Sequence, residues 1–325
     1  MDVRALDGDA PATIAALLPG FRETMRRELP ADPPVTAELL ARLLQRRHGA
    51  DRILLAAFDG TEPAGIVKLG LDLADPDGPG HGSLWVFPGF RRRGHGRALV
   101  DAALAALRER GRGPLLVDAP RGAAADGFAA LVGARRTAVN ARNRLALRGP
   151  AHAALAAAAA RPVPGHGLRR WADRCPDDLV HSYTRAWGAL DARVNGQAKV
   201  GEPTVEDVRA REAEAARAGH RQYVTAAVGT DGDVVAYSTL FVRASPMADA
   251  GETFVVPDLR RRSLATWVKA DLLLTAAREN AHLAVVQAFN ETTNAAVIAL
   301  NRRLGFKTDS HWATYVLEDL EGSPR

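Results

Sequence analysis

The sequence predicts two α+β domains in tandem, and three observations carry the prediction. The chain has 325 residues, about twice a common domain length. An internal repeat is visible: LWVFPGFRRRGHGRAL at 84–99 is matched by TFVVPDLRRRSLATWV at 253–268, with Val86-Phe87-Pro88 set over Val255-Val256-Pro257 at a spacing of 169 residues and the arginine triplets in register. Around this repeat, each half alternates helix-like and strand-like stretches in the same order. Internal similarity of this kind constrains the whole fold.

The elements follow in order. In the first half, 12–26 and 36–47 have helical patterns, 53–58 and 66–69 read as strands joined across Asp59-Gly60, and 84–87 reads as a strand before a helical stretch at 98–108. In the second half, 176–190 and 204–218 are helical, and 223–228 and 234–242 flank Asp231-Gly232. Thr36 and Thr204 stand at N-cap positions. Each half should therefore run strand, helices, hairpin, strand, arginine loop, helix, strand, helix, strand. Between them, GPAHAALAAAAARPVPGHG at 149–167 reads as a helical connector bounded by proline and glycine. The expected organisation is a first domain at 1–148, this linker, and a second domain at 168–325; the alternative is that the alanine run closes the first domain.

Composition narrows the function classes. Hydrophobic residues make up 47% and charged residues 25%, as in ordinary folded chains. The start, MDVRALDGDA, has no basic segment followed by an apolar core, and no apolar run reaches the ~18 residues of a membrane span; a cytoplasmic protein with no membrane role is expected. The single cysteine, Cys175, rules out an intramolecular disulfide and a multi-cysteine metal site, and no metal is expected. The net charge is +5, and arginines cluster at Arg91, Arg92, Arg93 and again at Arg260, Arg261, Arg262. Two equivalent basic loops fit a phosphate-bearing small molecule better than a nucleic acid, and no nucleic-acid-binding signature accompanies them.

A strand, a basic turn and a long helix place unpaired backbone N–H groups at the helix start, where phosphate binds. Gly94 and Gly96 let the backbone approach a pyrophosphate, and the arginines add charge. Arg91-Arg92-Arg93-Gly94-His95-Gly96 resembles the R/Q-x-x-G-x-G/A acetyl-CoA signature of the GCN5-related N-acetyltransferase (GNAT) family. The plan of the chain resembles the tandem acetyltransferases typified by mycothiol synthase across nearly its whole length. The resemblance implies two mixed α/β domains, each a central, mostly antiparallel twisted sheet flanked by helices, with acetyl-CoA as cofactor. It places Val86, Phe87, Arg91, Arg92, Arg93, Gly94, His95, Gly96 and Arg97 at the cofactor in the first half. The corresponding residues of the second half are Val255, Val256, Arg260, Arg261, Arg262, Ser263, Leu264 and Ala265.

The second half departs from the signature at Ser263 and Ala265, where Ser263 puts a side chain at the closest backbone approach. It is supported by FNETTNAAVIALNRRLGF at 289–306, which is similar to the family's last region, a helix beside the pantetheine arm ending in Leu-Gly-Phe. Asn294 falls where the family places an asparagine on the pantetheine, and Asn290 closes the preceding strand; both also suit turn and cap positions. The first half keeps only Leu131-Val132-Gly133-Ala134 of this region.

Acetyl transfer to an amine needs a neutral amine, a donor on the thioester carbonyl oxygen and an acid for the departing thiolate. The resemblance gives the carbonyl to the N–H of Val255 or Val256, and the amine's proton to a carboxylate on that strand. Glu252 is preferred over Asp249, a strand bulge being able to exchange the two; a solvated carboxylate is the plain alternative. The first half offers Ser83, Gly80 and His81 there. Asn301 and Ala129 replace the tyrosine that serves many members as acid, which leaves Tyr237 or water, and Tyr237 also suits a packed sheet position. The expected reaction is acetyl transfer to a primary amine of a small molecule by the second half, in a monomer or homodimer. The alternatives are a non-catalytic acyl-CoA-binding protein, or transfer by the first half.

Overall fold

The computed structural model describes residues 2–46, 50–73, 75–194 and 203–318. The chain divides into two compact units, Met1–Asn140 with Ser310–Arg325, and Ala141–Asp309.

The first unit contains β1 (Asp2–Ala5), α1 (Pro11–Glu28), α2 (Ala37–Leu44), β2 (Ala50–Asp59), β3 (Glu62–Asp72), β4 (Gly80–Val86), α3 (His95–Arg108), β5 (Leu115–Pro120) and α4 (Ala123–Val132). Residues 135–140 of β6 (Arg135–Ala146) follow. β1 to β4 are successive antiparallel neighbours, and β4 runs parallel to β5. α1 opens on Pro11 in its first turn, where no N–H is missed, and its stripe Ile14, Leu17, Phe21 packs with Leu40 and Leu44 on Leu54, Ala56 and Ile66. On the other face, Leu99, Val100, Ala103 and Leu107 of α3 cover Val67, Leu69 and Leu71. Thr36 caps α2 by accepting from Leu39 N at 3.1 Å. The second predicted helix ends at Leu44; residue 47, its expected end, lies outside the described residues.

The second unit repeats the plan with β7 (Gly167–Ala172), α6 (Val180–Val194), α7 (Val205–Arg217), β8 (Arg221–Val228), β9 (Val234–Val242), β10 (Met247–Val255), α8 (Leu264–Glu279), β11 (Val285–Glu291) and α9 (Ala295–Arg303). β7 to β10 are antiparallel neighbours, and β10 runs parallel to β11. Thr204 and Asp207 form a capping box at α7. α8 lies in the core along most of its length; its buried charges are partnered, Asp271 with Arg170 at 2.6 and 2.7 Å and Lys269 with Asn301 at 2.8 Å.

Two boundaries differ from the sequence expectation. The segment 149–167 is not a free connector: its α5 (Pro150–Ala159) buries Leu155 completely among Leu272, Leu273 and Ala276, and Trp267 Nε1 donates to Ala159 O at 3.0 Å. A fully buried leucine contributes about 1.5–3 kcal/mol, enough to hold a ten-residue alanine helix on this core. The last strand, β12 (Lys307–Leu317), pairs antiparallel with β5 from residue 312 onward and so belongs largely to the first unit, while residues 141–146 of β6 stand beside β11 in the second. Part of β6, from the first half of the sequence, thus belongs to the second unit, and most of β12, from the second half, to the first.

Candidate active site

In each unit the parallel pair, β4 with β5 or β10 with β11, opens early. β10 pairs with β11 only at 247–249, then continues along β9 to Val255. Val256 N donates to Val235 O at 2.9 Å. Because antiparallel N–H groups alternate in direction, Val255 directs its N–H to the opened edge, and of the two sequence candidates it is the one available to a ligand carbonyl. The first unit does the same: β4 pairs with β5 only at 80–82, Phe87 N is held by Ala64 O at 2.9 Å, and Val86 faces the opening. Val256 and Phe87 therefore spend their N–H groups inside the sheets.

The arginine loops have one shape. Arg91 Nε returns to Val86 O at 3.0 Å and Arg260 Nε to Val255 O at 3.3 Å. Arg92 and Arg261 take φ of 64° and 63°, and Gly94 and Ser263 take 88° and 67°. Ser263 thus adopts the left-handed conformation of the glycine it replaces, at a cost of about 1–2 kcal/mol, and its side chain is exposed. Neither α3 nor α8 has a side-chain cap, so the first N–H groups of both helices remain for an anion.

The loops differ in charge. Arg91 is paired with Glu28 at 2.6 Å and Arg93 with Asp59 at 2.9 Å; among the described residues none of Arg260, Arg261 and Arg262 is in an ion pair. Space differs too. A Cβ on Gly96 would sit 3.0 Å from the Phe128 ring of α4, and His95 is buried with Nδ1 unpartnered, whereas Ala265 is half-buried and Leu264 anchors the helix in the core. Arg97 only grazes Leu131 O at 3.5 Å.

The predicted bulge is present. Ala250 pairs with Leu240 but Thr253 with Ser238, one residue too many on β10. Ala248 and Ala250 face the α8 core, and Phe254 faces the α6 and α7 core; the extra residue changes the face and sets Glu252 and Asp249 on the same side of the sheet. Gly251 allows this, since a Cβ there would lie 2.2 Å from Thr239 Oγ1. That hydroxyl accepts from Glu252 N at 2.9 Å and donates to Glu252 Oε2 at 2.8 Å. Oε1 is held by Arg211, whose guanidinium lies 5.3 Å from the Trp187 ring centre. Burial disfavours the charged carboxyl of Glu252, but Arg211, the backbone N–H and Thr239 outweigh it and hold its pKa below the usual value. Asp249 is bound by Arg243 and by Gln287 Nε2 at 2.7 Å.

Gly251→Ala should destabilise the protein by about 1–3 kcal/mol through overpacking and loosen Glu252, which thermal unfolding and activity together will read. With Glu252 as the base proposed below, Arg211→Gln should move the acid limb of the kcat/KM profile to higher pH: a base works ionised, activity is lost as pH falls through its pKa, and Arg211 holds that pKa down.

Tyr237 is not brought to the opening. It is fully buried between Tyr183 and Phe254, with ring centres 5.0 and 5.8 Å away, as its alternative reading in the sheet had it. In the first unit His81 Nε2 lies 2.8 Å from Asp118 Oδ2, and Thr314 donates to Asp118 Oδ1 at 2.6 Å. Burial works against ionisation of Asp118, yet these two partners hold its pKa below the usual value.

Residues 18–133 match the model described as the acetyltransferase (GNAT) family. The fold of the whole chain is similar to that of a tandem GNAT protein from the clavulanic acid biosynthesis pathway, with 23% identity, 98% of each chain covered and a TM-score of 0.82. The chain therefore carries a GNAT domain at 18–133 and, over its whole length, the fold of a tandem GNAT protein. It is also similar in fold to a GCN5-related N-acetyltransferase from Sphaerobacter thermophilus, with 18% identity, 98% of this chain and 95% of that one covered, and a TM-score of 0.68. No curated protein matches its sequence significantly.

In the second unit, Asn294 caps α9 by accepting from Val297 N at 3.2 Å, leaving its Nδ2 to solvent or a ligand. Asn290 accepts from Asn301 and Asn143 at 2.8 and 3.2 Å. Asn301, at the tyrosine position, is fully buried and reaches no opening itself. Sequence reading missed Arg211, Thr239 and Lys269. Arg211 is one of several charges in α7 and carries no local signal, and Thr239 is one polar residue of a strand. Lys269 does have a signal, a cation within the mostly apolar run LATWVKADLLLTAA of α8.

Proposed function

We propose that the second unit transfers an acetyl group from acetyl-CoA to a primary amine of a small molecule. One observation carries the reading: a free strand-edge N–H at Val255, an uncapped helix start with unpaired arginines, and an ionised carboxylate at Glu252 converge at one strand opening. In this reading Arg260 and Arg262 and the first N–H groups of α8 hold the pyrophosphate, and Asn290 and Asn294 border the pantetheine arm. The bound thioester supplies the activated acyl group. Val255 N–H polarises its carbonyl, and Glu252 takes the amine's proton, directly or through water. Asn301 is no acid, and Tyr237 is buried away from the opening, so water protonates the thiolate.

The first unit serves in this account as a companion whose arginines are spent on Glu28 and Asp59. The His81–Asp118 pair favours a second reading, in which the first unit transfers acyl groups with His81 as base. An amine panel followed by thiol release separates them: Glu252→Gln abolishing turnover with His81→Ala near wild type supports the second unit, and the reverse pattern supports the first. Binding of acetyl-CoA without turnover on any amine would favour a non-catalytic acyl-CoA-binding protein. The proposed setting is cytoplasmic with a small-molecule partner, the arginine triplets at 91–93 and 260–262 being suited to a phosphate-bearing cofactor; among the described residues no helix is long and apolar enough to cross a membrane.

A further inference from the structure

A run of buried polar side chains in the second unit is unused by the chemistry above. Lys269 of α8, Asn301 of α9 and Asn143 of β6 are 3%, 0% and 1% exposed. Lys269 Nζ donates to Asn301 Oδ1 at 2.8 Å, and Asn301 Nδ2 donates to Asn290 Oδ1 at 2.8 Å. Asn143 Nδ2 donates to the same oxygen at 3.2 Å, and its own Oδ1 accepts from Thr308 Oγ1 at 2.7 Å. Asn301 is the one hydrogen-bond partner of Lys269 among the described residues; the ammonium also lies 5.3 Å from the Phe306 ring centre.

Burying an ammonium is expensive, and here it pushes the lysine pKa down to about 8. Methionine or leucine would fill the same space without that cost. What lysine does and they cannot is fix direction. A protonated lysine only donates, so Asn301 must turn its oxygen to Lys269 and its Nδ2 to Asn290. Asn290 must then turn its oxygen inward, to Asn301 and Asn143, and its Nδ2 away from them. A carboxamide has nearly the same shape in both orientations; the lysine removes that choice two residues along the chain of bonds. Asn290 stands near the end of β11, three residues past the last pairing with β10 at Gln287, on the rim of the strand opening. Its Nδ2 has no hydrogen-bond partner among the described residues.

We propose that Lys269 is a positioning residue for acyl-CoA: acting through Asn301, it fixes Asn290 as a hydrogen-bond donor to a carbonyl oxygen of the acyl-CoA arm. This rests on reading the second unit as an acyl-CoA site. The test is calorimetric titration of CoA into wild type, Asn290→Asp and Lys269→Met, with the side-chain amide resonances followed by 1H–15N spectra. Asn290→Asp keeps an oxygen for Asn143 and Asn301 and replaces the outward donor with a charged oxygen that only accepts; CoA affinity should fall about tenfold or more. Lys269→Met should weaken CoA several-fold, and the Asn290 amide pair, which shifts with CoA in wild type, should stop responding. Wild-type affinity in both variants would overturn the proposal while leaving the acyl-CoA reading intact, and absence of CoA binding by wild type would overturn both. If Lys269→Met fails to fold, Asn301→Leu, which cuts the same relay between Lys269 and Asn290, takes its place with the same expected and overturning results.

Discussion

Glu252→Gln should lower kcat by about 100- to 10,000-fold, the usual worth of a positioned general base, and leave CoA affinity near wild type. The glutamine keeps the length of the side chain and the Thr239 Oγ1 contact to Glu252 N, so the bulge survives. What it loses is the charge proposed to receive the amine's proton. Arg211 loses its ion pair but keeps its place against Trp187, and both side chains are partly exposed, so the stability cost should be small beside the rate effect. Asp249→Asn should cost much less, because that carboxylate is already divided between Arg243 and Gln287. Steady-state rates with any accepted amine, paired with CoA titration, check both.

Arg260→Glu/Arg262→Glu should weaken CoA binding by about 100-fold or more. Hydrogen bonds to charged groups contribute about 1.5–3 kcal/mol each, and about 1.4 kcal/mol is a factor of ten, so losing two and adding like-charge repulsion passes that mark. Arg91→Glu/Arg93→Glu should change affinity far less, since those arginines are committed to Glu28 and Asp59; its main cost should be to the stability of the first unit. Titration of acetyl-CoA into the two double variants compares them directly.

Much of this was legible in the sequence for physical reasons. The repeated strand, basic turn and helix at 84–99 and 253–268 depends on local geometry alone, and both loops take the same left-handed positions. The N-caps Thr36 and Thr204 are local in the same sense. The exchange of the last strands was not legible, because β6 and β12 carry a strand pattern that says nothing about which neighbour each pairs with. The alanine run at 150–159 misled for a related reason: its single leucine, Leu155, is the anchor, and nothing in the segment names the α8 surface that receives it. At the site, the bulge sets Glu252 and Asp249 on one face of the sheet; Arg243 lies six residues from its partner Asp249, but Arg211, which holds Glu252, comes from a distant part of the sequence. Ser263 shows a limit of motif reading: the glycine-like conformation persists although the residue type changed.

Hydrogen exchange of the backbone amides with and without acetyl-CoA tests most directly the claim that the second unit holds the acyl donor. The account predicts protection at 255–266 and around 290–295, with little change at 86–97. Protection confined to 86–97 would contradict it and move the site to the first unit and His81.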